Sequence, residues 1–165
     1  MERHETIKIK MGNLFIGGDS PISVQSMTNT PTSNALATIR QIKQLEEAGC
    51  DIVRSAVSNI DDAKAIGQIK KSIKIPIIAD IQFDYKLAIL AIKSEVDGLR
   101  INPGNIGSDE RVKEVVKACA SEGISIRIGV NSGSINRAVL WRWLEASIPV
   151  SSGPRMDSTF STAWR

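Results

Sequence analysis

The 165-residue chain is long enough for one domain with a hydrophobic core, and its 42% apolar and 24% charged residues are typical of a globular protein. A net charge of +3 with no block of Lys and Arg does not indicate binding to nucleic acid. No apolar run reaches the roughly 18 residues of a membrane span, and residues 1–5 lead into no apolar signal segment. We therefore expect a cytoplasmic protein with no membrane or nucleic-acid partner.

The chain has two cysteines, Cys50 and Cys119. They form no C-x-x-C pair and have no partner at metal-ligand spacing. Cys119 falls on the apolar face of a predicted helix, and Cys50 lies just before a predicted strand. Because free cysteine behaves as a small apolar residue, we expect two buried thiols and no metal site.

The first predicted element is a β-hairpin, in which apolar and charged residues alternate from Ile7 to Met11 and Gly12-Asn13 provides the turn. Short β-branched runs then alternate with longer amphipathic segments. In the first amphipathic segment, Leu36, Ile39 and Leu45 form the predicted apolar face. The predicted strands cover 22–27, 51–57, 76–83, 98–102 and 125–131, and the predicted helices cover 33–48, 61–74, 85–95 and 108–122.

This alternation predicts a parallel sheet with helical crossovers, either a doubly wound sheet or part of a (β/α)8 TIM barrel. A nucleotide-binding doubly wound sheet would carry a Gly-rich loop after its first strand, but Met27 is followed by Thr28-Asn29-Thr30-Pro31. The α/β barrel is therefore favoured. Because a complete barrel needs about 250 residues, we expect a partial barrel with about five parallel strands, preceded by the hairpin.

The end of the chain has a different composition. No Lys follows Lys117, and the three tryptophans all lie beyond residue 140. Residues 148–165 are rich in Ser, Pro and Thr and show no helical or strand period. We predict that residues 1–137 form the N-terminal part of a barrel domain and that residues 138–165 are a divergent tail, disordered or translated in a shifted reading frame.

Polar residues interrupt the predicted strands in a regular way. Because side chains alternate along a strand, Arg100 and Asn102 share one face while Leu99 and Ile101 share the other. The same pattern directs a set of polar side chains into the barrel, in the middle or C-terminal half of their strands, where barrel active sites form. These residues are Arg54, Asp80, Gln82, Arg100, Asn102, Arg127 and Asn131.

Three converging arginines would be costly to bury without an anion, and the planar donor fork of Arg suits phosphate. A single strand Arg is more often part of a structural ion pair, and Asp80 could neutralise one of the three, so that alternative stays open. The loop at residues 102–107 follows a strand directly, and its Gly and Asn residues can present free N–H groups. The residues thus predict a phosphate or diphosphate site at a barrel mouth.

Four segments resemble, in order and spacing, the motifs of the 4-hydroxy-3-methylbut-2-enyl diphosphate synthase family of the non-mevalonate isoprenoid pathway. They are Val24–Thr30 (VQSMTNT), Ala79–Tyr85 (ADIQFDY), Leu99–Gly107 (LRINPGNIG) and Ile126–Ser134 (IRIGVNSGS). The third motif is long and highly specific. The resemblance extends to about residue 137.

This resemblance implies an oxidoreductase that opens and dehydroxylates 2-C-methyl-D-erythritol 2,4-cyclodiphosphate during isoprenoid biosynthesis. The cyclic diphosphate is the polyanion that the three arginines require. By motif position, the candidate substrate-binding residues are Arg54, Arg100, Arg127, Asn131, Asn102 and Asp80, and no catalytic residue is assigned.

The resemblance also implies a cofactor and partners for a full-length enzyme. In the family, three cysteines and a glutamate of a separate C-terminal domain hold a [4Fe–4S] cluster, ferredoxin or flavodoxin supplies electrons, and the active site forms across a homodimer. Two scattered cysteines cannot supply these ligands. We therefore expect no cluster on this chain, no iron–sulfur domain within it and no turnover by the chain alone.

Two positions depart from the family pattern. Gln82 stands where the family usually has His, which removes a possible proton donor or substrate contact, and Ser55 stands where Val is usual, which affects packing. Two other functions stay open. One is a barrel enzyme of another class, such as a pterin-binding synthase, and the other is a non-catalytic fragment or phosphate-binding module.

Overall fold

The computed structural model describes residues 5–129, which form an antiparallel hairpin followed by a parallel sheet with helices. The strands are β1 (Ile9–Met11), β2 (Leu14–Ile16), β3 (Gln25–Met27), β4 (Ile52–Val57), β5 (Ile77–Ile81), β6 (Gly98–Ile101) and β7 (Ser125–Ile128). The helices are α1 (Ala35–Glu47), α2 (Ile60–Lys70), α3 (Tyr85–Lys93), α4 (Pro103–Ile106) and α5 (Asp109–Glu122). Asn131 and the predicted tail at 138–165 lie outside the described residues.

The five parallel strands lie side by side in chain order, β3-β4-β5-β6-β7, and each consecutive pair is connected through helical structure. A doubly wound sheet would reverse its strand order at a switch point, and this sheet has no such reversal. Strands that follow one another without a break are the arrangement of a barrel. The prediction of a partial TIM barrel preceded by a hairpin is therefore confirmed.

The helix-facing side of the sheet forms the main hydrophobic core. Val53, Val57 and Ile77 point from the strands into this layer, where they meet apolar side chains of α1, α2, α3 and α5. The predicted apolar face of α1 was wrong in one respect, because Leu36 is 66% exposed. The helix begins at Ala35, and its buried stripe runs through Ala35, Thr38, Ile39 and Ile42.

The hairpin packs against the other side of the sheet. Met11 is 5% exposed and forms a second apolar cluster with Ile52 and Ile78, which lie near the N-terminal ends of β4 and β5. A Cβ atom at Gly98, the first residue of β6, would lie only 2.5 Å from the Met11 sulfur. The hairpin therefore covers the N-terminal end of this concave face and does not pack on its C-terminal half.

Ser55 shows how the chain accommodates its departure from the family residue. It is fully buried on the helix-facing side, and the Thr28 hydroxyl donates a hydrogen bond to its Oγ at 3.0 Å. The additional polar atom is therefore paired, which removes most of the cost of burying a hydroxyl group. Thr28 also links the strands through its N–H, which donates to the Arg54 carbonyl.

Both cysteines are buried and free, as predicted. The Cys50 thiol lies 3.0 Å from the Ile52 carbonyl oxygen, to which it donates. Burial raises the pKa of the Cys119 thiol to about 11. Among residues 5–129, no helix is long and apolar enough to cross a membrane.

We predict that Met11→Ala destabilises the fold by about 2–4 kcal/mol, because it removes the side chain that fills the space above Ile52 and Ile78. Urea unfolding followed by circular dichroism measures the change. Ile7→Ala is the matched control, since Ile7 precedes the hairpin strands and is 85% exposed. Equal unfolding midpoints for the two variants would contradict the packing role of the hairpin.

We further predict that neither thiol reacts with Ellman's reagent at pH 8 unless the chain is unfolded. With a pKa of about 11, only about one Cys119 thiol in a thousand is ionised at that pH, and both thiols are buried. A Cys50→Ser variant isolates the signal of Cys119. Rapid labelling of Cys119 in native buffer would show that α5 does not pack on the sheet as described.

Candidate functional site

The C-terminal half of the concave face carries the polar side chains. Arg54 and Asp80 follow the hairpin-packed residues Ile52 and Ile78 by two positions, so they point to the same side of the sheet. Strand register brings Asp80 opposite Arg100. Arg54, Asp80 and Arg100 are therefore brought together, as strand alternation predicted, whereas Asn131 lies beyond the described part.

Asp80 is the centre of the cluster. It is 3% exposed, and its Oδ1 accepts a hydrogen bond from Arg100 Nη1 at 3.0 Å, while its Oδ2 lies 3.3 Å from Arg54 Nε. The contact with Arg54 lacks hydrogen-bond geometry, and Arg54 Nε is a buried donor with no acceptor among residues 5–129. The sequence left open whether Asp80 neutralises one arginine, and the structure shows that it pairs with two.

Arg127 lies on the edge strand at the opposite side of the sheet. Its Nη1 donates to Gln25 Oε1 at 2.9 Å. Gln25 belongs to β3 and Arg127 to β7, the two outermost strands, which do not pair with each other. The hydrogen bond therefore crosses the concave face, and it directs Arg127 over the same surface as Arg100.

Gln25 is a site residue that the sequence interpretation missed. It lies two residues before Met27, whose Cα pairs with that of Arg54, so strand alternation already placed it on the concave face. The sequence did not single out Gln25, because its strand is short and because it lies near the N-terminal end of the sheet. The long Arg127 side chain makes the contact possible.

The cluster has an excess of positive charge. Arg54, Arg100 and Arg127 bring three guanidinium groups, and Asp80 is the carboxylate that pairs with two of them. The side chains of Arg54 and Arg100 are about a quarter exposed, so their free donors remain accessible from the concave side. Three guanidinium groups and one carboxylate leave the cluster with a net charge of +2, which favours an anionic ligand.

Asn102 stabilises the backbone turn next to this cluster. It is 2% exposed, and its Oδ1 accepts a hydrogen bond from the Gly104 N–H at 3.1 Å. The segment predicted as a loop begins here with the short helix α4, whose Ile106 is buried. The side-chain oxygen of Asn102 therefore fixes the turn at the end of β6, and a contact between Asn102 and substrate stays a prediction.

Gln82 follows β5 directly and is partly buried. Its amide can donate and accept hydrogen bonds, but it cannot transfer a proton at neutral pH. Within residues 5–129, no group of three His, Cys, Asp or Glu side chains is arranged to hold a metal ion.

Comparison with known families gives a clear match. The family profile described as "GcpE TIM-barrel domain" matches residues 6–153. The proteins of Ruminiclostridium cellulolyticum and Clostridium perfringens, both named 4-hydroxy-3-methylbut-2-en-1-yl diphosphate synthase (flavodoxin), are 59% identical over 140 residues and 56% identical over 143 residues. These alignments cover 85% and 87% of this chain. The resemblance found in the sequence motifs is therefore confirmed.

The chain spans about two fifths of the length of these curated relatives, 40% and 41% respectively. Among solved structures, the dihydropteroate synthase of Yersinia pestis superimposes with a TM-score of 0.61 at 9% identity, covering 84% of this chain and 54% of that one. The enzyme of Xanthomonas albilineans gives a TM-score of 0.57 at 13% identity, over 84% of this chain and 57% of that one. At such identities the likeness concerns the barrel fold alone.

We predict that Asp80→Asn costs about 2 kcal/mol of folding stability, because it leaves two neighbouring guanidinium groups without their counter-charge. Added inorganic pyrophosphate should restore part of the loss by supplying negative charge. Urea unfolding with and without pyrophosphate measures both effects.

Asp19→Asn is the matched control for this change, since Asp19 forms an exposed ion pair with Lys8. We expect this control to unfold at the same urea concentration as the unmodified chain. Equal stability of Asp80→Asn and the unmodified chain would show that Asp80 does not hold the two arginines.

Proposed function

We propose that this chain, which belongs to the GcpE TIM-barrel domain family, provides part of the substrate-binding barrel of a 4-hydroxy-3-methylbut-2-enyl diphosphate synthase. The observation that carries the proposal is the pairing of Arg54 and Arg100 with one carboxylate, with Arg127 directed over the same surface from the opposite strand. The relatives that share more than half of their aligned residues with this chain carry the name of that synthase.

The proposed substrate is 2-C-methyl-D-erythritol 2,4-cyclodiphosphate. Each of its two phosphorus atoms is linked to one carbon-bound oxygen and to the bridging oxygen, so each phosphate carries one negative charge at neutral pH. These two charges match the excess of guanidinium groups over carboxylates in the cluster. A bidentate contact between Arg and phosphate would fix the orientation of the ring as well as bind it.

The protein groups divide into those that would contact the diphosphate and those that hold them in place. Arg54, Arg100 and Arg127 present the donors. Asp80 orients Arg54 and Arg100, and Gln25 holds Arg127. Asp80 would therefore act at the substrate site by positioning the arginines, because an anion that contacted the substrate directly would repel its phosphates.

The proposed reaction is a reductive ring opening with loss of a hydroxyl group, which requires two electrons from a redox group. A [4Fe–4S] cluster would supply them, but the described residues do not fit such a cluster, because both thiols are buried and Cys119 remains protonated at neutral pH. Because Cys50 and Cys119 are the two cysteines of this chain, the ligands would come from a separate domain of the full-length enzyme, brought close by a homodimer. Flavodoxin, which the names of the relatives include, is the proposed electron donor.

This chain alone would therefore bind substrate without turning it over. The groups that it contributes to the site bind and orient the diphosphate, and no residue among 5–129 is assigned a proton transfer. The neutral Gln82 is consistent with that division. The cytoplasmic location inferred from the sequence stays a prediction.

Isothermal titration of the chain with the cyclic diphosphate tests the proposal. We expect Arg100→Ala and Arg127→Ala each to weaken binding by about 2–4 kcal/mol, because each removes a charge-assisted contact with phosphate. Arg40→Ala, a change of an exposed arginine on α1, should leave the affinity unchanged. The phosphate-free 2-C-methyl-D-erythritol should not bind.

Two results would contradict the proposal. Unchanged affinity in both site variants would place the diphosphate elsewhere. Binding of a pterin, with no binding of the cyclic diphosphate, would favour the function of the fold neighbours over that of the sequence relatives.

A further inference from the structure

Met27 lies beside Arg54 on the concave face. The Cα atoms of the two residues are partners in the parallel pairing of β3 with β4, so both side chains leave the sheet on the same side. The sulfur atom of Met27 accepts a hydrogen bond from Arg54 Nη2 at 3.2 Å. On the other side of Arg54, Asp80 Oδ2 lies 3.3 Å from Nε. The guanidinium group of Arg54 is therefore held from β3 as well as from β5.

Arg54 differs from the other two arginines of the cluster in the acceptors that it meets. Arg100 and Arg127 each donate to a side-chain oxygen. Within residues 5–129, the side chain of Arg54 donates to the Met27 sulfur alone, because its contact with the carboxylate lacks hydrogen-bond geometry. A thioether is a weak acceptor. Arg54 is thus the arginine whose donors the described residues satisfy least.

The two contacts also decide which nitrogen of Arg54 is available to a ligand. Nε is buried, and Nη2 points to the sulfur. Nη1 makes no hydrogen bond within residues 5–129, but unlike Nε it is not buried, so the exposed quarter of the side chain includes this nitrogen. Its N–H groups can donate to a phosphate oxygen, which would give the guanidinium group a strong acceptor in place of none.

We propose that Met27 is a positioning residue of the diphosphate site, whose sulfur holds Arg54 Nη2 and thereby turns Nη1 towards a phosphate oxygen. The proposal deepens the proposed function and rests on it, because it names the donor of Arg54 that the diphosphate uses. A carboxylate at position 27 would pair with Arg54 and lower the net charge of the cluster. A sulfur atom instead orients the guanidinium group and leaves its charge to the ligand.

Titration of the 165-residue chain with inorganic pyrophosphate tests this role. Met27→Leu keeps an apolar side chain of similar volume and removes the acceptor. We expect this change to weaken binding about threefold, in line with the loss of one weak hydrogen bond that orients a donor. Met11→Leu is the matched control, because Met11 lies on the same face but packs on the apolar side chains of Ile52 and Ile78. Its affinity should equal that of the unmodified chain.

A double-mutant cycle distinguishes an effect through Arg54 from a general structural effect. In an Arg54→Ala background, Met27→Leu should cost no further affinity, because the guanidinium group that the sulfur orients is absent. The NMR signal of the Arg54 Nε–H group, assigned by its loss in Arg54→Lys, should move in Met27→Leu and stay in place in Met11→Leu.

Each result has a defined meaning. Unchanged affinity in Met27→Leu would overturn the proposal, as would equal weakening with and without Arg54, whether or not the Nε–H signal moves. If the unmodified chain binds pyrophosphate and only the role of Met27 fails, the proposed function survives. If the unmodified chain binds none, both fail.

Discussion

The site depends on one carboxylate shared by two guanidinium groups. Asp80 is buried on the concave face and contacts both Arg54 and Arg100, which come from the strands on either side of its own. Without it, the two arginines would repel each other and lose their fixed direction. With it, they keep unused donors on the open side of the sheet. The same arrangement that stabilises the cluster therefore leaves it attractive to an anion.

The fold supports this arrangement because apolar packing and the charged cluster occupy different positions along the strands. On the concave face, the hairpin packs on apolar side chains near the N-terminal ends, and the charged side chains follow two residues later. Parallel strands in unbroken order place these charged residues at neighbouring positions, as the pairing of Asp80 with Arg100 and of Arg100 with Arg127 shows. Glycine at both ends of this region, at Gly98 and Gly129, leaves space for a packed methionine and for a guanidinium group.

Much of this could be predicted from the sequence because it depends on local periodicity. The alternation of strands and helices predicted the barrel, and the two-residue period of strands predicted that Arg54, Asp80 and Arg100 share a face. The contacts of Gln25 and Gly129 could not be predicted, because they depend on how far the sheet curves and on the conformation of long arginine side chains. The exposure of Leu36 could have been predicted, because it lies about 100° around the helix axis from Ala35 and off the stripe of Ala35, Thr38, Ile39 and Ile42.

A crystal structure of the chain with pyrophosphate would test the central claim most directly. The account predicts a diphosphate on the concave face, with oxygens about 2.7–2.9 Å from donors of Arg100 and Arg127, as in charge-assisted hydrogen bonds. Asp80 should still lie between Arg54 and Arg100. A diphosphate bound away from these arginines, or none at saturating concentration, would contradict the claim that this cluster is a diphosphate site.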